Sequence, residues 1–338
     1  MKKLKVLVLF DSAGTPPEDQ DYTEEFKTED WVAEAAVCET LTKLGHEVRT
    51  LGLYDEITLL FREVEENRPD VVFNLTEIFL GKAYLDRNIP SVLELLEIPY
   101  TGCDPVSMMV CNNKATTKKI LAYHKIKIPG FHIFHRGKRI WHPKRLKFPL
   151  MVKPLKEEAS TGIAQASFAQ NEKDLAERVK FVHEKFDMAA LAEEYIDGRE
   201  LYVSVLGGSR LKLFPIREMK FTEIPEDEPK LATYKAKWDK KYRKKWGIKN
   251  EFAGRLPNGA EKKINNICKR AYRALLIDSY GRFDLRLTPQ GEVYIIEANA
   301  NPDLSKEDEF AESAARAGVG YEKLMQKILK MAIGRQAS

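Results

Sequence analysis

The chain has 338 residues, with 55 Lys and Arg against 51 Asp and Glu, a formal net charge of +4, and 43% hydrophobic, 31% charged and 10% aromatic residues. That composition is globular and excludes a disordered or fibrous chain, and so balanced a charge gives no ground for a nucleic-acid or membrane partner. The length exceeds what one hydrophobic core organises, so two or three domains with clefts between them are expected.

Met1-Lys2-Lys3 precedes the apolar run Val6 to Phe10, which is too short for a secretion signal and ends at Asp11. It reads as a first strand, Lys5 to Phe10. Further strands are expected at His46 to Leu51, Val71 to Leu75 and Pro99 to Gly102, with a helix from about Trp31 that stops at Gly45. Short β-rich runs alternating with amphipathic helices predict a parallel sheet covered by helices. Between the first strand and the first helix, Ser12 to Asp30 carries Glu18, Asp19, Asp21, Glu24, Glu25, Glu29 and Asp30. Such a loop either borders a ligand at the carboxyl ends of the strands or is a solvated insertion.

Cys38, Cys103, Cys111 and Cys268 show neither CxxC spacing nor histidines at ligand spacing, so no zinc site or disulfide framework is expected and a reducing, cytoplasmic compartment fits. No stretch approaches the roughly 18 uncharged residues of a membrane helix.

A helix is expected over Asn112 to Lys125, then Ile126 to Phe134 and a strand Phe148 to Lys153 that runs into the polar loop Glu157 to Gly162. A buried strand ending in Lys153 before a small-residue loop can bring a positive charge and backbone N–H groups to a phosphate chain. The next helix spans about Asn171 to Phe186, and strands follow at Ala190 to Tyr195 and Glu200 to Leu206. Glu193, Glu194 and Glu200 flank an Asp197-Gly198 turn, a place for an adenine amino group and a ribose diol or a solvated hairpin tip. His132 and His135, three apart on an expected strand, point to opposite faces and are not expected to ligate a metal. Tyr234 to Trp246 is basic and interleaved with aromatics, which is how single-strand nucleic-acid platforms look. The neighbouring Glu223, Glu226, Asp227 and Glu228 offset its field, and a mobile basic loop over phosphates is the preferred reading.

After a helix near Ala260 to Leu276, Arg282 to Leu287 and Glu292 to Asn299 read as a hairpin turning at Pro289-Gln290-Gly291. Asp284 then falls across from Glu297, and alternation puts Glu297 with Asn299 and Arg282 with Asp284. Two carboxylates and an amide suit Mg2+ with a nucleotide; a buried salt bridge from Arg282 to Asp284 or Glu297 is the other reading. Two helices close the chain. No GxSxG, HExxH, Walker lysine motif or dinucleotide glycine fingerprint is present.

Taken in order, these pieces resemble the ATP-grasp superfamily and, within it, the D-alanine–D-alanine ligase branch. The resemblance is carried by RFDLRL and GEVYIIEANANP in the hairpin, AARAGVGYEKLMQKIL beyond it, Pro99 to Gly102, and Asn113-Lys114. It implies an α/β chain, α+β in its C-terminal part: an N-terminal parallel-sheet domain (1–105), a small lid subdomain (106–188) and a C-terminal catalytic subdomain (189–338). It also implies an ADP-forming ligase that makes carbon–nitrogen bonds with ATP and Mg2+, Mn2+ being an alternative ion.

By matching positions, Lys114 and Lys153 would contact ATP phosphates under the Ser160-Thr161-Gly162 loop. Glu193 and the backbone around Glu194 and Ile196 would contact adenine, and Glu200 the ribose. Lys237 would contact phosphate from the mobile loop. Asp284, Glu297 and Asn299 would hold Mg2+, and Arg282 would stabilise the transition state. Amino acids or peptides are the implied substrates, and a homodimer through the first domain is typical of the branch.

The departures lie where D-alanine–D-alanine ligases recognise substrate. Their linked glutamate, serine and tyrosine are replaced by the Asp11-Ser-Ala-Gly-Thr-Pro-Pro segment, Ala159 and Trp238. A glycine near the reacting carbonyl is Asp303, and a hydroxyl region becomes Lys306-Glu307-Asp308. A substrate other than two D-alanines is therefore expected, with Asp303 and Asp308 favouring a cationic group near the nucleophile. The alternatives are a D-alanine–D-alanine ligase with a divergent pocket and a non-catalytic ATP-binding regulator.

Overall fold

The computed structural model describes residues 2–16, 20–157, 159–208, 210–225 and 229–336. In chain order the first unit holds β1 (Lys5–Asp11), α1 (Val32–Lys43), β2 (Glu47–Leu53), α2 (Thr58–Asn67), β3 (Val71–Asn74) and α3 (Asn88–Leu95). β1 lies between β2 and β3, parallel to both, with Val6 opposite Val48 on one side and Val71 on the other. Its five central residues are all buried because both faces are covered. Val6, Val8 and Phe10 belong to one core cluster with Leu41 of α1, whereas Leu7 and Leu9 join Leu60 of α2 and Leu93 of α3 in another.

The expected fourth strand at Pro99 to Gly102 is only a single parallel bridge, Tyr100 to Val72. Pro99 has no N–H to donate, and Gly102 turns the chain at φ +94°. The acidic loop is pinned rather than simply solvated: Tyr22, Phe26 and Trp31 surround Phe10 with ring centroids 4.9, 5.7 and 5.3 Å away. Glu18 and Asp19 lie outside the described residues.

Two further sheets follow. Their elements are α4 (Pro105–Cys111), α5 (Lys114–Tyr123), β4 (Phe131–Phe134), β5 (Leu150–Pro154), β6 (Phe168–Ala169), α6 (Glu172–Lys185), β7 (Ala190–Glu194), β8 (Arg199–Leu206), β9 (Lys212–Leu213) and β10 (Arg217–Phe221). Then come α7 (Tyr234–Trp238), α8 (Lys240–Lys245), β11 (Ile248–Phe252), α9 (Ala260–Ala274), β12 (Tyr280–Leu287), β13 (Val293–Ala300), α10 (Glu309–Arg316) and α11 (Tyr321–Gln336). The smaller sheet runs β4-β7-β5-β6 and is backed by Leu175, Val179 and Val182 of α6. β7 hydrogen-bonds to β4 and β5, so the expected division after residue 188 falls one strand early.

The larger sheet runs β11-β10-β8-β12-β13, with β9 on β8. Leu201, Val203 and Val205 of β8 share a core with α9, while Met108 and Leu121 place α4 and α5 there too, not in the small subdomain as expected. Period-two alternation turns Glu200, Tyr202 and Ser204 to the opposite face, where Glu200 meets Met151 and Lys153 of the small sheet across a pocket and Tyr202 packs on Ala236 of α7. Phe310 of α10 and Leu324, Met325 and Ile328 of α11 return to the first unit and seal it to the large sheet through Tyr280 and Phe214.

Tyr234 to Trp246, expected as a mobile loop, forms two short helices capped by Thr233 and Asp239. Among the described residues the four cysteines form no disulfide. Among the described residues, no helix is long and apolar enough to cross a membrane.

Candidate active site between the two antiparallel sheets

The hairpin pairs as its residues dictate: Asp284 lies opposite Glu297 and Arg282 opposite Asn299. A register shift follows Asp284, which leaves Ile296 as an extra residue in β13. The bulge makes Ile296 and Glu297 both face the cleft, and the Ile296 carbonyl accepts from Lys118 Nζ at 3.1 Å.

Buried charges here come in matched sets. Lys114 Nζ sits 3.0 Å from Glu297 Oε1, and Lys118 and Lys153 grip the two oxygens of Glu193 at 2.7 and 2.5 Å, with all three of those side chains less than a tenth exposed. Burial raises the Glu193 carboxyl, but Lys118 and Lys153 outweigh it and hold it below its ordinary value. Burial pulls Lys118 down despite Glu193, whereas the charges of Glu193 and Glu297 overcome burial and raise Lys153. Glu297 is likewise lowered, burial being outweighed by Lys114, Lys153 and Lys237.

On β12, Arg282 donates to both oxygens of Asp284 at 2.9 and 3.3 Å and reaches Glu309 at 3.4 Å. Its guanidinium lies 5.5 Å over the Tyr202 ring. Asn299 Nδ2 donates to Asp284 Oδ1 at 3.2 Å, and Lys237 Nζ stands 4.0 Å from Asp284 Oδ2. One turn of the pleat away, Arg286 faces Glu200 directly across β8 at 2.5 Å and also donates to the carbonyls of Gly198 and Lys230. Gly198 is required there, because a Cβ would come 2.3 Å from the Leu287 carbonyl oxygen.

A small pocket of about 60 Å³ joins these groups, with Lys153, Lys237, Asp284 and Glu297 at its polar end, Glu200 beside it, and Met151, Ile163, Leu231, Ile196 and Ile296 as its apolar wall. Its roof is latched. Ser160 Oγ donates to Ala232 O at 3.0 Å, Tyr234 N to Ile163 O at 3.1 Å, and Trp238 Nε1 to Ala159 O at 3.1 Å. Ala159 and Ser160 both have positive φ, costly for residues with a Cβ and of the kind held at functional loops, and Gly162 takes a positive φ without that cost.

The structure thus brings Lys114, Lys153, Ser160, Glu193, Ile196, Glu200, Lys237, Arg282, Asp284, Glu297 and Asn299 together. The Glu194 side chain turns to the other face and accepts from Lys147 N at 2.9 Å, while its backbone, the part expected at adenine, lies near the pocket. Two positions of the loop differ from expectation. Thr161 and Gly162 do not line the pocket; Gly162 is enclosed by Phe186 and Pro154. Lys118, Arg286 and Glu309 escaped the sequence reading, although Lys118 lies one turn after Lys114 and Arg286 continues the Arg282, Asp284 alternation. His132 packs against Phe134 and Trp141, away from this site. A roomier depression of about 660 Å³ over β2 and α2 is open and lined by surface groups such as Arg49 and Glu63, which pair with each other at 2.7 Å; the convergent buried charges lie in the smaller pocket.

The family model described as D-ala D-ala ligase C-terminus matches residues 120–330. The chain belongs to that family. It is therefore an ATP-grasp ligase of the ADP-forming, carbon–nitrogen-bond-making class, which uses ATP with Mg2+. An uncharacterised protein of Sinorhizobium fredii is 31% identical over 262 residues, 78% of this chain and 74% of that protein. The D-alanine–D-alanine ligase of Aquifex aeolicus is 28% identical over 294 residues, 87% of this chain and 92% of that protein. Among solved structures, the Bacillus anthracis D-alanine–D-alanine ligase complexed with ATP superposes with a TM-score of 0.75 at 22% identity, covering 98% of this chain and 99% of that one. The VanG D-Ala:D-Ser ligase of Enterococcus faecalis gives 0.72 at 20% identity, covering 98% and 100%.

The residues of this pocket fit a metal-bound nucleotide. An apolar slot, a carboxylate beside it and three ammonium groups beyond match the succession of base, ribose and phosphates. Asp284 and Glu297 supply the hard oxygens Mg2+ prefers, and both are now neutralised by Arg282 and Lys114, so each has a cation to exchange. Among the described residues no cluster of three or more His, Cys, Asp or Glu is placed to hold a metal ion.

Proposed function

We propose that this ligase joins a carboxylate to an amine through an acyl phosphate, on amino-acid or peptide substrates other than two D-alanines. The observation that carries the chemistry is the pocket in which Lys153, Lys237, Asp284 and Glu297 meet at one end of an apolar slot, with Arg282 behind Asp284.

In this reading the Met151, Leu231 and Ile296 walls hold adenine and Glu200, oriented by Arg286, holds the ribose. Lys114, Lys153 and Lys237 neutralise phosphate charge, with Ser160 in the roof above them. Glu193, freed from one lysine, and the backbone at Glu194 and Ile196 take the adenine edge. Asp284, Glu297 and Asn299 would hold Mg2+, which supplies further charge neutralisation on the phosphates. Arg282 meets the charge that develops when the substrate carboxylate is phosphorylated and when the amine attacks. Little covalent chemistry is asked of the protein; positioning and preorganised charge supply the rate. A space of about 60 Å³ holds roughly two waters, so nucleotide entry requires the latched 231–246 segment to lift.

The departures from D-alanine–D-alanine ligases support the altered substrate. The two roof loops meet through an indole and a backbone carbonyl, without the hydroxyl pair of that branch. Asp303 accepts from Ser305 N and Oγ, both at 2.7 Å, where the branch has glycine. Asp303 and Asp308 favour an amine bearing a second cationic group; unchanged kinetics in Asp303→Gly and Asp308→Ser would refute that part. The similarity to the A. aeolicus enzyme favours, as a second reading, D-alanine–D-alanine synthesis in a divergent pocket.

The test is ADP and phosphate release with Mg2+ across D- and L-amino acids, their pairs and short peptides, with Glu297→Ala as control. Turnover on one acid–amine pair, lost in the control, supports the proposal; turnover on D-alanine alone selects the second reading. Nucleotide binding without turnover on any pair would make the chain a regulator.

A further inference from the structure

Lys237 lies on α7, a helix of five residues that is too short to hold itself in place. Its terminal carbonyls are orphans unless a neighbour satisfies them. Arg243 does so: Nη1 donates to Ala236 O, beside Lys237, at 2.6 Å. The other arm of the same guanidinium donates to Asn250 Oδ1 at 3.3 Å, and Asn250 Nδ2 donates to Glu309 Oε1 at 2.5 Å. Glu309 Oε2 is 3.4 Å from Arg282 Nη1, Arg282 binds Asp284, and Asp284 faces Lys237. The chain of contacts closes on itself, running from the roof helix through β11 and α10 to β12 and back.

Each member is fixed by its neighbours. Asn250 is the uncharged side chain among them, and its two ends meet partners of opposite sign, so its amide is oriented by charge on both sides. Burial raises the Glu309 carboxyl, but Arg282 and Lys237 outweigh it and keep it charged. Asn250 O also accepts from Arg217 Nη2 at 3.1 Å, and Arg217 is anchored by Glu312 at 2.6 Å, so the strand that carries the relay is itself tied to α10.

Resting on the ligase reading above, we propose that Arg243 and Asn250 are positioning residues: they set where Lys237 stands relative to Arg282 and Asp284, and so couple closure of the roof to the state of the reacting end. Neither needs to touch substrate. Breaking the relay removes no side chain from the pocket lining but frees α7, and Lys237 with it, to drift, and a displacement of about 1 Å at the reacting centre is enough to cost on the order of 10²-fold in rate.

The test uses the full chain with Arg243→Ala, Arg243→Lys and Asn250→Leu, in three measurements: kcat with the acid–amine pair found above, ATP dissociation constant by direct binding, and tryptic cleavage within 234–246. The expected result is a fall in kcat of roughly 10- to 100-fold, with ATP affinity changed less than about threefold. Cleavage should be faster at unchanged melting temperature, and millimolar guanidinium should restore kcat in Arg243→Ala but not in Asn250→Leu. Unchanged kcat would overturn the proposal, as would a loss of kcat that tracks a loss of melting temperature and does not respond to guanidinium. If the wild type turns over no pair, the ligase reading fails and cleavage decides: unchanged cleavage in the variants overturns the relay, and faster cleavage keeps it as the roof's anchor.

Discussion

Replacing Glu193 by Gln removes one negative charge from between two buried ammonium groups while keeping the shape of the side chain. In the native protein Lys118 and Lys153 stand 2.7 and 2.5 Å from its oxygens, and Lys118 is about 2% exposed. Each contact is worth about 6 kcal/mol of Coulomb attraction at an effective dielectric constant near 20, most of which repays desolvation. Taking one partner from a buried set usually costs about 3–5 kcal/mol, because the remaining charge is left uncompensated. Lys118 limits the loss by giving up its proton, since burial already pulls its pKa down. A lysine whose folded pKa lies below its unfolded value binds fewer protons when folded, so stability rises with pH across that interval. Urea unfolding at pH 7 and pH 9 should therefore show a deficit of about 3–5 kcal/mol that shrinks at the higher pH, with an unchanged m-value. A deficit below about 1 kcal/mol at both pH values would refute the claim that Glu193 neutralises the two lysines.

Arg286→Leu leaves Glu200 buried beside the slot without its 2.5 Å partner and should destabilise by about 3–5 kcal/mol. Arg286→Leu with Glu200→Met should regain most of that stability but not ATP affinity, as isothermal titration would show. Trp238→Phe keeps the ring and deletes the donor to Ala159 O; the bond of about 0.5–1.5 kcal/mol latches the roof and must break for it to lift, so its loss should tighten ATP binding about 2- to 10-fold. Burial, with Asp11 and Asp303 adding to it, raises Glu34 from 4.5 to about 7. Its folded form thus holds a proton that the unfolded chain has lost. The stabilisation is complete below about pH 4.5 and disappears as pH rises through 7. Glu34→Gln should flatten that slope in thermal melts between pH 5 and pH 8, and an unaltered slope would show that another group carries it.

What the sequence conveyed best was alternation. The facing of Asp284 and Glu297 followed from the hairpin turn and strand period alone, and the register bears it out. The bulge at Ile296 was hidden, because Val293 to Ile296 is apolar throughout and a run of one character cannot show a phase change. Pro99 to Gly102 reads as strand by composition but lacks a donor at Pro99, so it contributes a bridge. The Lys118, Glu193, Lys153 set joins residues 75 positions apart in sequence from first to second, and no local period reports such a meeting. Glu309 and Asn250 were unreadable for the same reason: a carboxylate at a helix start and a polar residue on an edge strand are ordinary until the fold aims Glu309 at Arg282 and Asn250 at Glu309. The two helices of residues 234–245 were masked by their density of lysines, which reads as a solvated loop, while the caps Thr233 and Asp239 were the signal that could have revealed them.

The central claim is that the acid substrate is activated as an acyl phosphate in the pocket of Lys153, Lys237, Asp284 and Glu297. It is tested most directly by supplying the acid with 18O in its carboxylate and analysing the phosphate released during Mg2+-dependent turnover. Transfer of one 18O atom into phosphate for each amide formed, absent in Glu297→Ala, is the expected result. Amide formation with phosphate free of label would contradict it, because the carboxylate oxygen would then never have been joined to phosphorus.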